Sequence, residues 1–216
     1  MSDSSLKPVI IFGAKGLAKA AFEILKSNRV VVYGFLDDDE SLKDTSIDEA
    51  SVLGKMDDGG FLKLLGAKCD AFVALEDTQE RKEIVALLND RRKIMPMNVI
   101  AANASIAQTS SMGHGNFLNH QCSLGAFSEL GNHCLIHTGV QIDYEVSIGD
   151  FVQIGSGSTI GAGVSIGEEV FIGSGAVIVP GVQVARGARI GAGSVVIKDV
   201  EEDSTVFGNP AQELEV

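Results

Sequence analysis

From Ile100 to Val196 every sixth residue is aliphatic, running through Ile106, Met112, Leu118, Leu124, Leu130, Ile136 and onward to Ile190 without a break, seventeen positions in all. Two residues before these anchors stand small side chains such as Ser110, Cys122, Cys134, Ser158, Ala176 and Ser194, and directly after them glycines such as Gly125, Gly155, Gly173 and Gly191. An amphipathic helix requires a period near 3.6 and a half-buried strand a period of 2. A period of six is instead one short strand plus one turn. Three such units close a triangular coil, and stacked coils pair their strands in parallel about 4.8 Å apart with the anchors inside. The glycines are expected to supply the tight corners. Because the register never slips, roughly six coils should form a smooth prism with no inserted loop.

The first hundred residues have a different texture. Val9-Ile10-Ile11-Phe12 reads as a buried strand, Gly13 to Lys19 as a loop opening a helix over Ala20 to Lys26, and Val30 to Leu36 as a second strand ending in Asp37-Asp38-Asp39. This is the opening of a βαβ unit. Backbone amides of the turn around Gly13, Lys15 and Gly16, backed by a helix N-terminus, suit a phosphate, and Asp37 follows Gly16 by 21 residues, where a carboxylate reaches a ribose hydroxyl. The same residues also fit a plain strand-to-helix turn with a solvated strand end. Ala71 to Leu75 reads as a further strand, Thr78 to Leu88 as a helix, and Met95-Pro96-Met97 as a boundary. The expected architecture is an α/β Rossmann-like domain over 1–97 followed by an all-β parallel prism over 98–216.

Charge narrows the function classes. A formal net charge of -12 repels phosphate backbones and anionic membrane surfaces, so neither nucleic acid nor membrane is an expected partner. No stretch approaches the roughly 18 uninterrupted apolar residues of a membrane span, and the first seven residues carry no leader pattern, so a cytoplasmic location is expected. Cys69, Cys122 and Cys134 match no zinc spacing and read as reduced, buried thiols, with no metal implied.

The repeat resembles the hexapeptide signature of left-handed β-helices, and the resemblance supplies the hand, which parallel-crossover rules do not. Prisms of that kind usually trimerise, so a homotrimer is expected. The two halves together resemble the bacterial nucleotide-sugar acyltransferases that include sialic acid O-acetyltransferases and UDP-4-amino-sugar N-acetyltransferases. That resemblance is carried by the Gly13-Ala14-Lys15-Gly16 loop, the Gly34-Phe35-Leu36-Asp37-Asp38 strand end, Arg81-Lys82, the hexapeptides and the closing Gly208-Asn209-Pro210-Ala211. It implies transfer of an acetyl group from acetyl-CoA to a sugar amine or hydroxyl. It places the nucleotide sugar on the N-terminal domain, against Gly13, Lys15, Gly16, Asp37 and Asp38, and CoA along a groove between prisms.

Such a transfer needs a base for the attacking group and a backbone N–H for the oxyanion. The resemblance puts the family's histidine base at Tyr144, followed by Glu145, and a second family histidine at Gln153. Ala18 stands for the usual third glycine of the nucleotide loop and Ala101-Ala102 for a usual His-Pro. A phenol is a far weaker base than an imidazole at neutral pH. Tyr144 would therefore orient the acceptor, Glu145 polarise it, or the base would move to His137, whose column by eighteens continues as Gly155, Gly173 and Gly191. His120 could line the same side; His114 and His133 read as surface residues. For CoA, the resemblance gives Gln153, Ala162, Ser174 and Ala192 by coil count, with the Ala162 amide at the oxyanion, and Lys198 reads as a phosphate partner or as an ion-pair partner of Asp199 or Glu201. The competing expectation is a non-catalytic nucleotide-sugar-binding trimer that has lost its histidines.

Overall fold

The apolar run Val9–Phe12 (β1) is buried along its whole length because it lies mid-sheet and is covered on both faces. The computed structural model describes residues 7–214, so the leader reading of residues 1–6 lies outside the described residues. After β1 the N-terminal unit continues with α1 (Gly16–Ser27), β2 (Val32–Leu36), β3 (Ser46–Ile47), β4 (Ala50–Gly54), α2 (Gly59–Leu62), β5 (Asp70–Val73) and α3 (Thr78–Arg92). The sheet order is β3-β4-β2-β1-β5, with every pair parallel except the β3–β4 hairpin. The chain passes from β1 to β2 on one side and places β5 on the other. The crevice at the carboxyl ends of β1 and β5 is therefore a topological switch point, where open α/β sheets bind ligands.

Both expected helices differ in extent, and β2 starts two residues later than expected while β5 ends two residues earlier. Helix α1 begins four residues early, at Gly16: Gly13 alone makes the turn at φ +100, and glycine's helix penalty weighs on interior positions rather than the first. Its buried face is Leu17, Ala18, Ala21, Phe22, Ile24 and Leu25. Helix α3 runs past Leu88 to Arg92, capped by the Asp77 carboxylate, which accepts from Glu80 N at 2.9 Å, and ended by Lys93 in the left-handed region. The β3–β4 hairpin and α2 were not anticipated, being too short to show a period.

The second unit, Ile100–Val216, is a left-handed parallel β-helix. Each of the seventeen anchors is the second residue of a two-residue strand, and the strands form three sheets. The first face runs from Val99–Ile100 to Arg189–Ile190, the second from Ser105–Ile106 to Val195–Val196, and the third from Ser111–Met112 to Gln183–Val184. Partners lie 18 residues apart, as in Leu124↔Ile142 and Ile142↔Ile160. Anchors from Leu118 upward are buried, whereas Ile100, Ile106 and Met112, in the first coil, are only half-buried. At the far end Val200 and Val206 cover the core, and the antiparallel pair Thr205–Gly208 and Ala211–Glu213 closes it, the capping a solenoid requires.

The corner glycines act differently from the sequence expectation. From Met112 to Ile190 the residue with positive φ is the third after each anchor, and it is Gly at 115, 139, 157, 163, 175, 181, 187 and 193 but Gln121, Phe127, His133, Glu145, Phe151 and Glu169 at the other six, with φ 57 to 60. Glycine directly after the anchor answers to close approach instead. A Cβ on Gly155 would sit 2.5 Å from Ser174 N, and one on Gly125 2.4 Å from Asp143 O. His133 is also not a surface residue: it is 6% exposed, with its ring stacked on Phe151 at 5.0 Å. The three cysteines are buried and unpaired with one another, and burial pushes the Cys122 thiol up to about 11.

Candidate active site

In the N-terminal unit a cavity of about 500 Å³ opens at the β1/β5 switch point. Gly13, Lys15, Gly16, Asp37 and Asp38 all line it, together with Asp39, the β5–α3 loop Ala74–Asp77, and Glu80, Glu83 and Ile84 from α3. Gly13 is required on two counts: its φ is +100, and a Cβ there would lie 2.8 Å from Ala74 O. No side chain caps α1 and no acid occupies its first turn, so its leading N–H groups are left to a ligand.

The aspartates hold the rim together. Asp37 accepts from Ala14 N at 2.8 Å and from Asp39 N at 2.9 Å, so one carboxylate pins the β1–α1 turn to the end of β2. Asp38 accepts from Met56 N at 2.9 Å. Lys15 reaches Asp39 at 3.1 Å, and that hydrogen bond, then the Asp39 charge, raises the lysine pKa. Asp39 is held low, first by the Ser41 hydroxyl and then by Lys15. Arg81, entirely buried, donates from Nη1 to Leu75 O at 2.7 Å and Glu76 O at 3.1 Å, fixing the loop that forms the opposite wall. The sequence reading used Arg81 only as part of the resemblance; its spacing from β5 carries no signal that it would turn inward.

The prism candidates fall on two corners of the triangle. His137, Ser174 and Ala192 belong to the corner between the first and second faces; Tyr144, Glu145, Ala162 and Lys198 belong to that between the second and third. Gln153 projects from the first face, and the structure brings it to His137: Nε2 to Nε2 is 3.4 Å, so the amide donates to the imidazole lone pair in the Nδ1–H tautomer. The His137 ring meets the edge of Phe117 at 6.2 Å. Tyr144 is 54% exposed; its backbone N–H is taken by Asp143 Oδ1 at 2.8 Å, and its hydroxyl has no hydrogen-bond partner among the described residues. The Ala162 N–H likewise has none there, whereas its neighbours Gly161 and Gly163 donate to Ile178 O and Tyr144 O. Lys198 is exposed and makes no ion pair among the described residues, while Asp199 accepts from Gln183 N. Among the described residues no group of histidine, cysteine and carboxylate side chains could hold a metal ion.

Comparison with known proteins covers both units. The PglD N-terminal domain model matches residues 8–88, and the bacterial transferase hexapeptide model matches 145–178 and 163–198. No curated protein matches significantly by sequence. Among solved structures, a histidine-to-alanine mutant of GDP-perosamine N-acetyltransferase from Caulobacter crescentus, in complex with CoA and GDP-perosamine, is 27% identical, with 97% of each chain covered and a TM-score of 0.89. The acetyltransferase domain of PglB from Neisseria gonorrhoeae, in complex with acetyl coenzyme A, is 26% identical over 97% of this chain and 100% of that one, also at 0.89. WeeI from Acinetobacter baumannii, 21% identical over 96% and 99% at 0.74, shares the fold. A switch-point pocket on a domain that matches the PglD N-terminal model, followed by a closed prism that matches the hexapeptide model, makes this chain similar over both units to the PglD-like proteins.

Proposed function

We propose that this protein is a CoA-dependent acyltransferase that moves an acetyl group from acetyl-CoA to the amine or hydroxyl of a nucleotide-linked sugar. The supporting observation is the likeness over both units to structures that hold CoA, GDP-perosamine and acetyl-CoA. The nucleotide sugar lies in the switch-point cavity against Gly13, Lys15 and Gly16, with Asp37 and Asp38 shaping its rim. CoA lies along the prism past Ser174 and Ala192. The acceptor attacks the thioester carbonyl, the Ala162 N–H receives the oxyanion, the carbon–sulfur bond breaks, and the acceptor's proton passes to a base. His137 is that base, taking the proton on Nε2 as the acceptor displaces the Gln153 amide from that lone pair, and Tyr144 with Glu145 orients the acceptor.

A homotrimer accounts for the split between corners, because the first-second corner of one copy would face the second-third corner of the next. Exposed Phe127, Tyr144 and Ile197 all stand on that second corner, an apolar edge suited to burial against a neighbour. A second reading, a non-catalytic nucleotide-sugar binder, is favoured by Tyr144 and Gln153 standing where the resemblance puts histidines. Thiol release from acetyl-CoA over a panel of UDP- and GDP-linked amino sugars separates the two. Turnover that falls tenfold or more in His137→Ala supports the assignment; CoA binding with no turnover on any acceptor sinks it.

A further inference from the structure

A net charge of -12 is an average over the chain, and the N-terminal unit departs from it at one edge. Residues 63–70 and 90–95, with Lys7, hold the cations Lys7, Lys63, Lys68, Arg91, Arg92 and Lys93 against only two carboxylates, Asp70 and Asp90. Two of these cations brace the segments. Arg92 donates from Nη2 to Lys63 O at 3.2 Å and to Leu65 O at 2.9 Å, and Lys7 donates to Gly66 O at 2.6 Å. Gly66 N closes the turn on Cys69 O, Asp70 N is held by Pro8 O, and Ile94 packs against Gly66, where a Cβ would lie 3.0 Å from its Cγ2. Lys63, Lys68, Arg91 and Lys93 stand exposed on this braced edge and make no ion pair among the described residues. Met95, two residues beyond Lys93, is 65% exposed. Lys93 also ends α3 in the left-handed region at φ 54, a position that glycine or asparagine fills at lower cost.

We propose that this edge is a docking surface for an anionic lipid bilayer, with Lys63, Lys68, Arg91 and Lys93 on lipid phosphates and Met95 entering the headgroup layer. Charge complementarity carries the assignment. Four flexible cations on separate segments match a fluid field of many phosphates rather than one bound anion, and an exposed apolar side chain beside them matches the acyl boundary beneath. The acidic remainder of the chain does not cancel the attraction, because charges more than about 8 Å from the surface are screened at physiological salt. Strands β1 and β5 run parallel, and the pairing of Val9 with Asp70 puts this edge at their amino ends, opposite the cavity at their carboxyl ends. Docking here leaves that cavity open to solvent. The inference is independent of the acyl-CoA reading.

The test is flotation of the full chain with vesicles of phosphatidylcholine alone or with one-third phosphatidylglycerol. The chain should float with the anionic vesicles at about 50 mM salt, be released at about 300 mM, and ignore the neutral ones. Each cation near an anionic surface contributes about fivefold, so Lys63→Gln with Lys68→Gln should weaken partitioning about twentyfold while circular dichroism stays native. Lys93→Gly should weaken it about fivefold without lowering the melting temperature, since glycine relieves the left-handed position as it removes the charge. Lys19→Gln with Lys43→Gln changes net charge equally at exposed sites elsewhere on the unit and should leave partitioning within about twofold. No flotation with anionic vesicles at low salt, or an equal loss in both double variants, overturns the proposal. Capture of polyglutamate or RNA without flotation also overturns it, giving the edge to an acidic polymer instead.

Discussion

The two units solve the problem of holding a site in opposite ways. In the N-terminal unit each wall residue is placed by a singular contact: Asp37 on Ala14 N, Asp38 on Met56 N, Arg81 on Leu75 O. In the prism, position comes from repetition, since each coil sets the next and the register never shifts between Leu124 and Ile178. One unit is specified by a few irreplaceable side chains, the other by a rule that many side chains satisfy.

Breaking the rule at its centre should have the largest effect. Ile154 is fully buried mid-prism, and Ile154→Asp places an unpaired carboxylate among Ile136, Ile172 and their neighbours. A loss of more than about 4 kcal/mol is expected, seen by thermal unfolding as collapse of the prism transition. Arg81→Met should cost about 1–3 kcal/mol by stranding two loop carbonyls, and should impair nucleotide-sugar affinity while the prism's β signal stays intact. The glycine pair sharpens the contrast within the prism. Gly155→Ala, which drives a Cβ to 2.5 Å from Ser174 N, should cost about 1–3 kcal/mol. Gly157→Ala meets nothing within 4 Å and should cost only about 1–2 kcal/mol of left-handed strain. Equal losses would mean that close approach does not set Gly155.

The smallest effect concerns Cys122. Its thiol pKa is raised by burial to about 11 against an ordinary 9.0. Between these values the unfolded chain has lost the proton that the folded chain keeps, so stability falls as pH rises from about 9 to about 11 and is unaffected below. Denaturant titrations at pH 8 and 10 should show the drop, which Cys122→Ser should reduce, and the thiol should resist maleimide at pH 8 until the prism unfolds.

The same contrast explains what could be read in advance. Six-residue periodicity is a direct image of the prism's geometry, so all seventeen strands were legible, as was the pocket rim from Gly13 to Asp38. Singular contacts leave no such image. Nothing in the spacing announces that Asp37 bonds two amides, that Arg81 turns inward, or that His133, left-handed at φ 57, stacks on Phe151. The role of Gly155 was misjudged for a related reason: a turn and a close approach place the same letter in a sequence, and only coordinates separate them. The β3–β4 hairpin is shorter than any period that could betray it.

The loop-free prism has one further consequence. Each coil adds about 4.8 Å, so the stack is a ruler with coils for graduations. Excising eighteen consecutive residues would shorten it by one mark and leave every column aligned. Excising six would leave the aliphatic rhythm of the sequence untouched and yet rotate everything above the cut by one face, carrying Ser174 and Ala192 away from the edge that bears His137. Distance along this molecule is written in eighteens, and direction around it in sixes.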